Sequence, residues 1–357
     1  MVFNVSSTAY QITSPPALPF IIQGTGISNN SGVIQNFVAT TDNTGSSGSF
    51  QFGIDATAGD STTFITAAAT VSGGLPAIVQ FVDEANAGSA TIINNGAILS
   101  GATGGETDFW NTTKGDRANI TNKAGVVSGA TGGTTFFTFS ASAEEAIITS
   151  EGAATNGAAG GKTAFQSRSR ATHATLIANG GINGGTGGVI EFTDSSDGGT
   201  AQVKVFGDGN LDISAHNPVP VVIGSLEGDG EVLLGPQELS IGANNLSTTF
   251  SGVIQDSGSV VKTGTGTLTL SRASIYTGGT TVNAGTLKVG NRRGSATGNG
   301  AVAVRAGKLS GDGIIAGATS IGTGSGAGAF LAPAAGGSKA TTLTIQALIF
   351  KADGLQL

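Results

Sequence analysis

Few side chains in this sequence are equipped for chemistry. There is no cysteine, which excludes thiolate catalysis and disulfide bonds, and there are only two histidines. His173 follows Arg170-Ala171-Thr172 and His216 precedes Asn217-Pro218, and both contexts read as turns. With no His-x-x-x-His and no cysteine motif, a transition-metal centre is not expected. Asp256-Ser257-Gly258-Ser259 has the composition of a loop around a nucleophilic serine. The flanking Gly and Pro are missing and no Gly-x-Ser-x-Gly elbow occurs, so it reads as a turn. Gly311-Asp312-Gly313 with Gly317 misses a phosphate-binding Gly-x-Gly-x-x-Gly by one residue, and no helix is expected after it. The nearest acid pairs are Asp194 with Asp197 and Asp208 with Asp212. Both lie among glycines and read as turns rather than cation sites, as do Gly207-Asp208-Gly209, Gly228-Asp229-Gly230 and Gly311-Asp312-Gly313.

The scaffold that must carry these residues is legible from composition. Only 11% of the residues are charged and 60 of 357 are Gly, against roughly 25% and about 7% in ordinary soluble domains. Each Gly inside a helix costs about 0.5–1 kcal/mol relative to Ala, which excludes long helices. An apolar share of 38% is too high for charge-driven disorder. Short strands joined by tight turns remain, an all-β chain. The net charge of −7 argues against nucleic acid as a partner. The densest basic spots, Arg168-Ser169-Arg170 and Arg292-Arg293, read as solvated loops. The longest apolar runs, Leu18–Ile22 and Val219–Ile223, fall far short of the ~18 residues of a transmembrane segment. Met1-Val2-Phe3-Asn4 opens no secretory signal, having no basic region and no apolar run after it.

Internal periodicity then sets the fold. Gly104-Gly105 precedes Phe109, Gly132-Gly133 precedes Phe137, Gly160-Gly161 precedes Phe165, and Gly187-Gly188 precedes Phe192. Phe81 and Phe52 extend the series backwards, so that Phe recurs with a ~28-residue period. Ala90, Ala118, Ala146, Ala174 and Ala201 run in parallel at the same spacing. Each unit reads as strand, turn, short strand, Gly-rich turn, strand, as in Ala90–Gly96, Ala97–Gly101 and Thr107–Asn111. Alternation such as Ala118/Ile120 and Ala146/Ile148 marks half-buried strands. So small a unit cannot bury its own apolar face, and stacked units bury a continuous core. The Phe column is expected to stack, and the Gly pairs to supply positive φ at the corner before each Phe strand. The spacing leaves open whether each repeat makes one coil or two. Hydrolysis of a glycosidic bond would need two acids about 5–10 Å apart. The column two residues after each Phe reads Asp83, Asn111, Phe139, Ser167, Asp194, where Phe139 and Ser167 interrupt any carboxylate cluster.

Past residue 215 this period fades. Lys262-Thr263-Gly264-Thr265-Gly266-Thr267-Leu268 is followed by Tyr276, Gly278, Thr280, Val282, Gly285 and Leu287. Over roughly 221–290 this resembles the autotransporter-associated β-strand repeat of bacterial passenger domains. The match identifies rungs and corners, with Leu268, Leu270, Val282 and Leu287 inward and Gly264, Gly266, Gly278 and Gly285 at turns. The chain departs from the family at Leu331-Ala332-Pro333-Ala334, where Ala334 replaces the Gly of a Leu-x-Pro-Gly turn. The family's translocator β-barrel is absent from the sequence, and the chain is expected to be a stretch of a longer protein.

The reading is therefore an all-β, right-handed parallel β-helix, a β-solenoid. Residues 1–215 form β-helix coils with the ~28-residue repeat. Residues 216–290 are the autotransporter-type repeat segment, and 291–357 a Gly/Ala-rich continuation. The resemblance implies export, and a location at the cell surface in association with the outer membrane. The expected function is a non-catalytic stalk or adhesin, not an enzyme. Catalytic, cofactor-binding and metal-binding residues are not expected, nor is a cofactor. Host-cell or glycan surface ligands and a translocator β-barrel are the expected partners. The alternatives are a carbohydrate-active β-helix enzyme (a polysaccharide lyase or hydrolase), which the missing acid cluster disfavours, and a surface or matrix repeat protein with an anchor other than a barrel.

Overall fold

A computed structural model of the chain describes residues 1–217, 220–326, 328–333 and 342–357. Among the described residues every regular element is a strand, and the paired strands of the sheets run parallel. The chain divides into two compact units: Met1–Asp197 with Gly207–Asn210, and Gly198–Phe206 with Leu211–Leu357. Each is a parallel β-helix, right-handed as parallel crossovers in one sheet are.

In the first unit, one sequence repeat makes one coil. Glu106 pairs with Thr134 and Thr134 with Lys162, so each strand bonds to its equivalent in the next coil. One sheet runs from Gln11–Ser14 to Thr175–Ala178, and a second from Pro19–Ile22 to Val189–Phe192. A third side is reduced to single-residue bridges, Thr57 to Asn86 to Lys114 to Ser142 to Arg170 to Asp197. The segment 97–101, expected as a short strand, is a loop whose Gly101 N–H donates to Gly129 O at 2.8 Å.

The inward columns behave as expected. Phe52, Phe81, Phe109, Phe137, Phe165 and Phe192 are fully buried and stack with ring centroids 4.5 to 4.9 Å apart and planes within 13°. Carbon atoms in contact sit about 3.5–4.0 Å apart, so the rings are slipped, the favoured geometry for parallel aromatics. Ala90, Ala118, Ala146 and Ala174 are fully buried, each directly before the strand that carries Ile92, Ile120, Ile148 or Leu176.

The Gly pairs have a different role from the one expected. None of Gly104, Gly105, Gly132, Gly133, Gly160, Gly161, Gly187 and Gly188 has positive φ. They are needed for space instead. A Cβ on Gly132 would overlap the carbonyl of Gly160 one coil on, and a Cβ on Gly133 the carbonyl of Asn94 one coil back. Left-handed backbone falls at three other columns. Gly73, Gly101, Gly129, Gly157 and Gly184 form one, and Gly88, Asp116, Glu144 and Thr172 belong to another. The third is the column two residues after each Phe: Ile54, Asp83, Asn111, Phe139, Ser167 and Asp194, with φ between 56° and 62°. That column turns the corner whatever its side chain.

The second unit has shorter coils, in which Thr248 pairs with Leu268, and Leu268 with Leu287. One corner accounts for the change. Residues 95–105 join Thr91–Asn94 to Glu106–Phe109 in the first unit, whereas Ser251 and Gly252 alone join Thr248–Phe250 to Val253–Gln255. One sheet of this unit runs through Thr267–Leu270 and Thr286–Val289, another through Ser259–Lys262 and Thr280–Val282. Leu331–Pro333 belongs to the strand Ala329–Pro333, and Ala334, the expected departure from the family turn, lies outside the described residues.

Candidate functional site

The residues weighed for chemistry are turn and corner residues. Asp194 occupies the left-handed corner and its carboxylate accepts the Ser167 N–H at 2.8 Å. Asp208 accepts the N–H groups of Gly181 and Gly187, at 2.5 and 3.0 Å, and Asp212 accepts that of Ser214 at 2.9 Å. The first glycine of each Gly-Asp-Gly turn, Gly207, Gly228 and Gly311, has positive φ. Asp256 accepts the Gly235 N–H at 2.9 Å while Ser257 Oγ donates to Gly235 O at 3.2 Å, so both staple one turn. His173 is exposed, and His216 is buried with Nδ1 2.8 Å from the Asn217 carbonyl. Arg168, Arg292 and Arg293 are exposed. Among the described residues, no group of three or more His, Asp or Glu is arranged to hold a metal ion.

Two polar constellations escaped the sequence reading. The first is a buried amide–hydroxyl ladder in the first unit. Asn94 Nδ2 donates to Asn122 Oδ1 at 2.7 Å, and Asn122 Nδ2 donates to the Lys162 carbonyl at 2.8 Å and Thr163 Oγ1 at 3.1 Å. Thr107 and Thr135 donate to Asn94 and Asn122, each at 2.8 Å, and Ser150 Oγ meets Thr163 Oγ1 at 3.0 Å. Thr66, Asn94, Asn122 and Ser150 recur once per coil, the same signal that marked the Phe column.

The second is an acid pair. Glu106 and Asp108 alternate with inward Thr107 and Phe109, so both face outward from one strand, side by side on that face. Burial, reinforced by the charge of Glu106, pushes Asp108 up to about 8, and burial also raises Glu106. The spacing i, i+2 in a strand was the available signal; testing only the corner column missed it. Two acids side by side on one strand face are not the glycosidase arrangement, in which the acids stand on either side of the scissile bond.

The segment singled out by resemblance forms parallel rungs of the second unit. Val260, Leu268, Leu270, Val282, Leu287 and Val289 are buried, and Thr267–Leu270 pairs in register with Thr286–Val289. Gly264 and Gly285 turn corners with φ 62° and 63°, while Gly266 and Gly278 have ordinary φ and face carbonyls a Cβ would overlap. Residues 260–289 match the family model described as passenger-associated-transport-repeat. The chain carries an autotransporter passenger repeat. The match lies within the 221–290 segment and covers its C-terminal part. No curated protein and no solved structure matches the chain.

The polar residues of the passenger repeat serve its own corners. Lys262 sits in an inward column, paired with Ile241 and Val282, and is 1% exposed. Its stem packs in the core, and its ammonium donates to the carbonyls of Thr263 and Gly264 at the next turn. Burial pushes its pKa down to about 8. Tyr276 is fully buried, its hydroxyl 2.6 Å from Thr280 Oγ1, and burial holds that hydroxyl well above its ordinary pKa. Both are structural in this arrangement: the ammonium closes a turn, and the phenol is tied to the strand that follows it.

Proposed function

We propose that this chain is a non-catalytic surface β-helix, the stalk or adhesin part of an autotransporter-type passenger, carried to the cell surface by a translocator β-barrel. The observation that carries the reading is the passenger repeat at 260–289, which lies in register within a stack of parallel rungs. A stack of this kind presents a long outer surface while its interior is filled by side chains, which suits display and binding. Support for the non-catalytic part comes from the placement of the candidate acids, serine and histidines in turns.

Surface display tests it. The chain is fused between a secretory signal and an autotransporter barrel in a Gram-negative host, and intact cells are probed with antibody and with external protease. The expected result is antibody labelling of unbroken cells and removal by protease. Retention inside the cell, with a control passenger displayed normally, refutes the reading. Release of oligosaccharides from a glycan panel by the purified chain refutes its non-catalytic part.

A further inference from the structure

On the outer face of the second sheet of the first unit stands a set of side chains that stacking of the coils does not require. Glu106, Asp108 and Trp110 follow one another on that face, opposite to the buried Thr107 and Phe109. The Trp110 N–H continues the ladder by donating to Phe81 O at 3.0 Å. Across the strands, Asp108 stands between Gln80 and Phe136. Flanked on four sides, by Glu106 and Trp110 along the strand and by Gln80 and Phe136 across it, Asp108 is only 6% exposed although it faces outward. Trp110 and Phe139 are the reverse case, 41% and 49% exposed, with ring centroids 6.0 Å apart and planes at 65°. Phe139 holds its ring there from the left-handed corner column, φ 62°, whose other members are Ile54, Asp83, Asn111, Ser167 and Asp194, so it is the one aromatic among them.

We propose that Gln80, Glu106, Asp108, Trp110 and Phe139 form a binding site for neutral, pyranose-containing glycans. The C–H face of a sugar ring lies on the exposed indole, with the Phe139 ring as a side wall. Its neighbouring hydroxyls, each both donor and acceptor, meet the carboxyl pair and the Gln80 amide. Burial raises both carboxyl groups of the pair, which favours their protonated forms and so a donor beside the acceptors. An organic cation would also stack on Trp110, but the same burial disfavours the ionised carboxylates it would pair with. The acidic character of the pair disfavours acidic polysaccharides. The proposal deepens the adhesin reading by naming its ligand class. Its test uses the isolated chain, so failed surface display and failed sugar binding are separate results.

Trp110 is the sole tryptophan, which makes selectively excited tryptophan emission a reporter of this site. The full chain is titrated at pH 7 with cello-, chito-, malto-, laminari- and manno-hexaose, and with choline chloride and arginine amide as cationic probes. The expected result is a saturable change in emission with at least one hexasaccharide, at a Kd of about 1 mM or tighter. Phe139→Gly, which suits the left-handed corner, and Asp108→Asn should each weaken it by about tenfold or more, as loss of one ring contact or one charge-assisted hydrogen bond would. The distant Arg292→Ala should leave it unchanged. No saturable response to any hexasaccharide overturns the proposal. So does a response to the cations alone, or sugar binding that both site variants retain at full strength.

Discussion

Replacing Asn122 with Leu tests the buried ladder as a source of stability. Asn122 is fully buried and makes four side-chain hydrogen bonds. Leu keeps the branched outline, at somewhat larger volume, and removes all four. The losses are unequal. Asn94 Nδ2 keeps the Thr134 carbonyl and Thr135 Oγ1, and Thr163 Oγ1 keeps Ser150. Thr135, fully buried, loses the acceptor its hydroxyl donates to. An orphaned buried donor costs about 1–3 kcal/mol and each further lost hydrogen bond about 1 kcal/mol. Part of this is offset by the apolar side chain, leaving an expected loss of about 3 kcal/mol. In a stack where each coil touches only its neighbours, the effect should be local. Hydrogen exchange of the amides in Asn119–Asn122 and Thr134–Phe137 should therefore accelerate by about 100-fold, with amides in the second unit unchanged. The decisive variant is the double mutant Asn122→Leu/Thr135→Val, which removes the orphaned donor too and should be more stable than Asn122→Leu alone. Equal or lower stability of the double mutant refutes the account.

Four further outcomes are expected. Lys262→Met should stabilise the second unit near neutral pH, by at most about 3 kcal/mol from a pKa pushed from 10.5 to about 8 and partly compensated by two carbonyls. Because the folded pKa is the lower one, the cost is complete below about pH 8 and is relieved as pH rises towards 10.5. Melting curves should therefore show the advantage of the Met variant shrinking over that window. Gly132→Ala should prevent or distort stacking, since its Cβ would overlap the Gly160 carbonyl. Gly24→Ala, at φ 66° with open space around it, should lower the melting temperature only slightly, the penalty being about 1–2 kcal/mol of left-handed backbone. Asp353, a partly exposed carboxylate, accepts the N–H groups of Thr323, Gly324 and Gly326, which hold its pKa far below the usual range. Its contribution is present above the ordinary carboxylate pKa and is lost as pH falls through the lowered value. Asp353→Asn should speed exchange at those three amides at pH 7, and unchanged rates there would remove its role as a clasp.

What was legible in the sequence followed from period and size. The Phe and Ala columns declared themselves because one large or one small residue type recurs in a fixed register, and only stacked coils make such a register useful. Asn94 and Asn122 carry the same period, but polar residues in a strand ordinarily face water. Only the closed network of partners makes them core residues. A glycine likewise says that a side chain is intolerable without saying why. Gly101 is required by its φ and Gly132 by a neighbouring carbonyl, and the letter is the same. The acid pair Glu106–Asp108 lies on the face that water would ordinarily cover, and the neighbours that flank Asp108 across the sheet come from the preceding and following coils.

The uniform register of the first unit makes each coil an interchangeable cassette. Because Glu106 faces Thr134 and Thr134 faces Lys162 with no shift, excising residues 106–133 would join Gly105 to Thr134 at equivalent points. Phe81 would then stack directly on Phe137. Coils can thus be lost or duplicated in whole multiples by recombination between similar stretches of gene, and the stack lengthens or shortens without a new structural solution. The strained corner column gives each copy a freely variable outward position. A lineage that duplicates a coil therefore gains one more place to vary what it displays.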